Sequence, residues 1–253
     1  MDPKKSSFPV KAIWLVLWGG RLLQLLHDPA PALTPGGKSL IIREEVSNRR
    51  LSLSSNTKRG SNPNDFRWFS DEALSKLRIA QQDIQWLLDR GYKSNTAAEF
   101  VGNHYQLSVR QRNALQRATA SRLQYEKRKG SLLPLDAAGD GCLNIDGFNL
   151  IITLEVALSG GPLILGNDDV LRDLAGLRGT YHPIPQTDTA LKLIGKTLKG
   201  LSVGQANFYL DKPVSNSGRL KKKILEHATQ WDIPAEAGLV PNTDAVIMGM
   251  ERV

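Results

Sequence analysis

The spacing of apolar residues divides the chain into three stretches. The most apolar run comes first: residues 12–26, AIWLVLWGGRLLQLL, interrupted by Gly19, Gly20 and Arg21. It is shorter than the roughly 20 residues a membrane-spanning helix needs. Lys4, Lys5 and Lys11 ahead of it resemble the charged start of a signal peptide, but Arg21 falls inside what would be its apolar centre. Signal, anchor and disordered extension all stay open for residues 1–50, with no membrane association expected. Residues 28–64 are rich in Pro, Gly, Ser and Asn and show little periodicity. Residues 1–64 are therefore expected to be a flexible or poorly structured segment, with the folded part beginning near Phe66.

The second stretch has helical rhythm. Ser70 reads as an N-cap, with Asp71 and Glu72 in the first turn, where negative charge suits the helix dipole. Leu74, Leu77, Ala80, Ile84, Leu87 and Leu88 follow at helical spacing, and Gly91 reads as the C′ residue. A short helix is expected over 96–102. Ser108 and Gln111 form a capping box that opens a helix running to about Lys129. Residues 65–130 thus make a small all-helical module.

From residue 131 the rhythm changes. Apolar runs of strand length, Cys142–Ile145, Pro162–Leu165, Asn207–Leu210 and a weak Leu239–Val240, alternate with helical segments at Ile151–Leu158, Thr187–Leu198 (Thr187 as N-cap) and Ser217–Trp231. That alternation predicts an α/β domain over 131–253, built on a mainly parallel sheet with crossover helices.

Composition adds two points. The only cysteine, Cys142, excludes an internal disulfide; it opens an apolar strand and is expected in the core. Charge is split: residues 1–130 carry 22 Lys and Arg against 11 Asp and Glu, and residues 131–253 carry 11 against 14, giving +8 for the chain. A basic half joined to an acidic half suggests that one attracts a polyanion while the other holds cations. In the basic half Arg110, Arg117 and Arg128 are 7 and 11 residues apart, close to whole turns, and are expected on one helix face. Two readings fit that stripe: a helix-turn-helix-like nucleic-acid module, or a helical bundle with a solvated basic face.

In the acidic half each candidate strand is followed by a carboxylate: Asp146, then Asp168 and Asp169, then Asp211, then Asp244. Parallel sheets bind ligands at the carboxyl ends of their strands. Acids converging there need a cation to stay ionised, and an all-oxygen set suits Mg²⁺ or Mn²⁺. Asp is also a common turn and cap residue, so each acid taken singly says little. DAAGDGCLNIDG, residues 136–147, looks like a calcium loop, but Ala138 and Gly147 stand at positions 3 and 12, where side-chain ligands are required. Calcium is rejected there.

GYKSNTAAEFVGNHYQLSVRQRNALQRA, residues 91–118, resembles the domain-of-unknown-function family 434. LNIDGFNLIITLEVALSGGPLILGNDDVLRDLAGLRGTY, with FYLDKPVSNSG further on, resembles family 5616. Asp146-Gly147-Phe148-Asn149 is also similar to the first strand of the PIN-like and NYN ribonucleases, and Thr243-Asp244 to the Thr/Ser-Asp pair near the end of such domains. That resemblance implies a PIN-like, Rossmann-like fold and a Mg²⁺ or Mn²⁺ site of Asp146, Asp211 and Asp244. Glu155, Asp168, Asp169 and Asp173 compete for a further place, and Asp169 is taken as the added ligand. Asn149 would orient a ligand or substrate. Ser217, Arg219 and Lys222, at the start of a helix, would bind backbone phosphate, with Arg110 and Arg117 adding contacts. The expectation is a cytoplasmic, metal-dependent ribonuclease; the alternatives are a non-catalytic nucleic-acid-binding or regulatory protein on the same fold and, more remotely, a metal-dependent phosphatase.

Overall fold

The computed structural model describes residues 41–42, 58–139, 141–177 and 179–250. The apolar run at 12–26, with its signal or anchor question, lies outside the described residues. The helical module comprises α1 (Asp65–Trp68), α2 (Asp71–Leu88), α3 (Ser94–His104), α4 (Val109–Ala118) and α5 (Arg122–Ser131). Ser70 caps α2 by accepting from the Ala73 amide, and Gly91 adopts φ +85° two residues beyond the Asp89 C-cap. Ser108 and Gln111 close the expected capping box on α4.

The single helix expected from Ser108 to about Lys129 is in fact two. The chain breaks after Ala118, and Ser121 and Gln124 form a second capping box that starts α5. A neighbour holds the break open. Asn167 donates from its backbone to the Ala118 carbonyl (2.8 Å), and its side chain pairs with both polar groups of the Ala120 backbone, at 2.8 and 2.9 Å. Arg110 and Arg117 therefore share α4, while Arg128 belongs to α5, and the three-arginine stripe does not exist.

The α/β part follows: β2 (Cys142–Asp146), α6 (Gly147–Leu158), β3 (Leu163–Leu165), β4 (Leu171–Asp173), α7 (Pro185–Gly200), β5 (Gln205–Asp211), α8 (Ser217–Ala228), β6 (Ala235–Val240) and α9 (Thr243–Ile247). Strands β2, β5 and β6 form a parallel sheet in that order. β3 does not join it. It turns back through Gly166–Val170 and pairs antiparallel with β4, and on its other side with β1 (Ile41–Ile42). The second expected strand thus lies in a separate sheet. Thr187 is also not the N-cap of α7. Pro185 occupies the first turn, as its fixed φ favours, and Thr187 sits at N3, its hydroxyl accepting from the Ile184 amide.

Two apolar cores result. One lies between the parallel sheet and helices α6, α7 and α8, with Leu143, Phe208, Leu210, Ile151, Leu191 and Ile224 among its buried residues. Gly195 admits the indole of Trp231 at a place where a Cβ would collide with it. The other lies within the helical module, where Leu77, Ile84, Val101 and Leu115 are joined by Ile164 and Leu174 from the β3–β4 region. That region therefore plugs the module into the α/β part.

Residues 58–64 overturn the expectation that everything before Phe66 is peripheral. Arg59 is 8% exposed and ion-pairs at 2.6 Å with Glu155, itself 0% exposed. Its guanidinium also lies over the Tyr181 ring and donates to the His182 carbonyl. Thr187 and Tyr181 donate to the same carboxylate. Among the described residues no helix is long and apolar enough to cross a membrane.

Candidate functional site

Three of the strand-end acids lie along one edge of the parallel sheet. Asp146 ends β2, Asp211 ends β5, and Asp244 stands in the first turn of α9, just after β6. Because β2, β5 and β6 are adjacent and parallel, their carboxyl ends share one edge. Gly147 follows from this closeness: a Cβ there would come within 2.7 Å of a Leu210 methyl and 3.3 Å of the Tyr209 carbonyl. Only glycine lets α6 start so near β5.

Asp146 is the N-cap of α6. One oxygen accepts from the Asn149 amide (2.9 Å), and the other from the Asn149 side chain (2.7 Å). Asn149 therefore clamps Asp146 from both sides rather than standing free for substrate. Burial pushes the Asp146 pKa up to about 6, against the backbone hydrogen bond from Asn149; the charges of Asp244 and Asp211 push it in the same direction as burial. Asp211 accepts from the Thr243 amide at 2.7 Å. Thr243 itself is 1% exposed, and its hydroxyl has no hydrogen-bond partner among the described residues. Among the described residues, however, no three His, Cys, Asp or Glu side chains stand grouped to hold one metal ion.

The other sequence candidates lie elsewhere. Asp169 takes φ +60° in the β3–β4 turn, in the antiparallel sheet, so it does not share the edge. Asp168, in the same turn, is paired with Arg172 at 2.7 Å and with Arg128. Burial opposes its ionisation, but the hydrogen bonds and charge of Arg172, aided by Arg128, more than offset that and lower its pKa. Asp173 accepts from the Ala175 amide (2.7 Å), and Glu155 is held by Arg59. Arg110 is bound to Asp65 and to the carbonyls of Gly60 and Leu174, so it tethers the module instead of offering a charge to solvent. Arg117 is exposed on α4. Ser217 is buried, with its hydroxyl turned to the Lys212 carbonyl (3.3 Å), which removes it from phosphate binding. Lys222 pairs loosely with Glu226 across an exposed turn at 3.7 Å. Lys212 and Arg219 are exposed near the carboxyl end of β5. Cys142 is exposed too, because it stands on the face of β2 turned away from the core.

Residues 135–253 match a family described as a domain of unknown function (DUF5616), and residues 76–130 match a protein family of unknown function (DUF434). An uncharacterized protein of Methanocaldococcus jannaschii is 36% identical over 177 residues, covering 70% of this chain and 85% of that protein. The chain belongs to the DUF434–DUF5616 family. The two matched segments of the family meet where α5 gives way to the short 3₁₀ turn Leu135–Ala138. The acidic edge and the core beneath it fall wholly within the DUF5616 segment. No solved structure matches the chain.

Proposed function

We propose that the acidic edge is a divalent-cation site for cleaving phosphodiester bonds of single-stranded RNA, on a PIN-like, Rossmann-like arrangement of the α/β part. The observation that carries this reading is the placement of Asp146, Asp211 and Asp244 along the carboxyl edge of one parallel sheet, where the charges of Asp244 and Asp211 act on the half-buried Asp146 carboxyl. A cation relieves repulsion among such charges. Thr243, whose amide donates to Asp211, adds a buried hydroxyl without a hydrogen-bond partner among the described residues, and the donors are all oxygen, which suits Mg²⁺ or Mn²⁺. Asp146, Asp211 and Asp244 would hold the ion. When bound, it supplies Lewis acidity and an activated water. Asn149 fixes the Asp146 carboxylate, and Lys212 and Arg219 offer positive charge to the backbone. Asp169 is left out of the set. The reading carries with it a cytoplasmic location, where RNA is available and the thiol of Cys142 stays reduced.

A melt with and without Mn²⁺ tests it. Binding to the native state alone stabilises by about 2.7 kcal/mol at a hundredfold excess over Kd. Mn²⁺ should raise the Tm of the wild type, and Asp146→Asn should lose most of that rise together with RNA cleavage. A second reading, a non-catalytic nucleic-acid-binding protein, is favoured by the lack of a ready three-ligand group among the described residues. It predicts no Tm response to millimolar Mn²⁺, and that result would retire the nuclease reading.

A further inference from the structure

Strand β6 is the last of the parallel sheet and has a neighbour on one side only. The Ala206 amide donates to the Pro234 carbonyl and the Lys212 amide to the Val240 carbonyl, which fixes the phase of the β5–β6 ladder. Glu236, Gly238 and Val240 turn their backbone groups to β5, so the N–H and C=O groups of Ala235, Ala237 and Leu239 point outward. None of these has a hydrogen-bond partner among the described residues. The chain beyond Val240 turns inward, where the Thr243 amide meets Asp211 and α9 packs on β5 and β2. Proteins usually blunt an open edge with charge, proline or a bulge. Here the outward positions are half-buried and apolar, and proline stands only at the two ends, as Pro234 and Pro241.

The helix covering this strand extends the same surface. α8 packs on β6 and β5. Lys223 and His227 reach Asp188 of α7 at 2.7 and 2.8 Å, and Leu220 and Ile224 are buried. At helical spacing this leaves Gly218, Lys221 and Leu225 on the side away from α7, overhanging the β6 edge. With Lys222, Glu226 and Thr229 they line a shallow groove. Gly238, in the middle of β6, has no left-handed φ, and a Cβ on it would meet nothing within 4 Å among the described residues. Nothing described inside the chain calls for glycine there. A glycine inside a strand often marks the close approach of another backbone.

We infer that the β6 edge and the open side of α8 form the interface of a twofold homodimer, in which β6 of a second copy adds antiparallel and the two sheets become one. Three features select this occupant. A twofold axis at Ala237 pairs Ala237 with its own copy and Ala235 with Leu239, so every outward N–H and C=O is matched. In that register Glu236 faces Gly238 of the second copy, whose missing side chain leaves it room. The spacing also fits. With α8 covering β5 and β6, the two α8 axes come about 10 Å apart, two strand spacings, which is the distance at which helices pack. Charge completes the match, because the two α8 helices run antiparallel and bring Lys221 of each toward Glu226 of the other. The two acidic edges point to opposite ends and stay uncovered, so the interface stands independently of the RNA chemistry proposed above.

Sedimentation velocity on the full chain at about 0.15 M ionic strength, where its net charge of +8 is screened beyond about 8 Å, should show dimers of the 27.9 kDa chain that dissociate on dilution. Hydrogen exchange locates the contact: the Ala235, Ala237 and Leu239 amides should be protected in the dimer and lose that protection on dilution. Two variants break the interface from different elements. Ala237→Pro removes an outward N–H, a position where an edge strand tolerates proline, so the monomer stays folded. Leu225→Lys sets a charge against Lys221 of the second copy. Each should weaken dimerisation about tenfold or more. Tm identifies a variant that fails to fold, and the other then decides. Monomers at every concentration overturn the inference, as do a dimer left intact by the folded variants and a dimer in which the three amides exchange freely. Protection of those amides that does not depend on concentration also overturns it, and assigns the edge to another segment of this chain.

Discussion

Asp146 and Asp168 each follow a short apolar strand, yet the molecule treats them in opposite ways. Asp168 sits between Arg172 and Arg128, and its pKa is lowered. Asp146 feels the charges of Asp211 and Asp244, has no ion pair among the described residues, and its pKa is raised to about 6. Strand-end acids are therefore not one kind of feature. Where arginines from another part of the chain reach them, as Arg128 reaches Asp168 and Arg59 reaches Glu155, the acids tie segments together. Where neutral amides and other acids surround them instead, as at Asp146 and Asp211, the charge is left without a cation among the described residues. The difference separates construction from candidate chemistry.

The largest test lies on the paired side. Arg59→Met leaves the Glu155 carboxylate buried without its cation, which should cost about 3–5 kcal/mol in urea denaturation. Adding Glu155→Gln should return a good part of that loss. A cost below about 1 kcal/mol would show that this arginine is not what makes the buried acid tolerable.

Arg172→Leu should cost less, about 2 kcal/mol, because Arg128 still reaches Asp168. Here the pH dependence discriminates. A lowered folded pKa contributes stability above the unfolded value near 3.9, and that stability is lost as pH falls through the folded value. The gap between wild type and variant should be full at neutral pH and shrink below about pH 4.

Asp146→Asn inverts the sign. The folded pKa of about 6 lies above the unfolded value, so Asp146 favours folding at low pH and loses that contribution as pH rises through 6. Without metal, the variant should be more stable than the wild type by about 1–3 kcal/mol at pH 8. The two should converge toward pH 4. Asn preserves the cap on α6, so a destabilised variant at pH 8 would mean that the carboxylate is structural after all. The smallest effect belongs to Lys222→Ala, whose exposed partner is 3.7 Å away: a change under about 0.5 kcal/mol in the same assay.

Local signals were legible wherever neighbours in sequence sufficed. Ser70 and the Ser108–Gln111 box started the helices where expected, and the parallel strands lay close to their apolar runs. Some signals were present but passed over. Ser121-Arg122-Leu123-Gln124 repeats the capping-box spacing of Ser108–Gln111 and announces the second helix. The alternation in CLNID and QANFYLD announces a sheet with one wet face, which also explains why Cys142 is exposed.

By itself the sequence determined the capped helices, the change from helical to α/β rhythm near residue 131, and the carboxylates that follow the apolar strands. These depend on periodicity, capping and the rule that parallel strands end together, all of which act over a few residues or a single topology. Only the tertiary structure decided which acids meet which cations. It put β3 into a hairpin that plugs the helical core, carrying Asp168 to Arg128 and Asn167 to the break after Ala118. It also laid Arg59 against Glu155, nearly a hundred positions along the chain. Ion pairing acts through space, over a few ångströms, and does not register sequence separation.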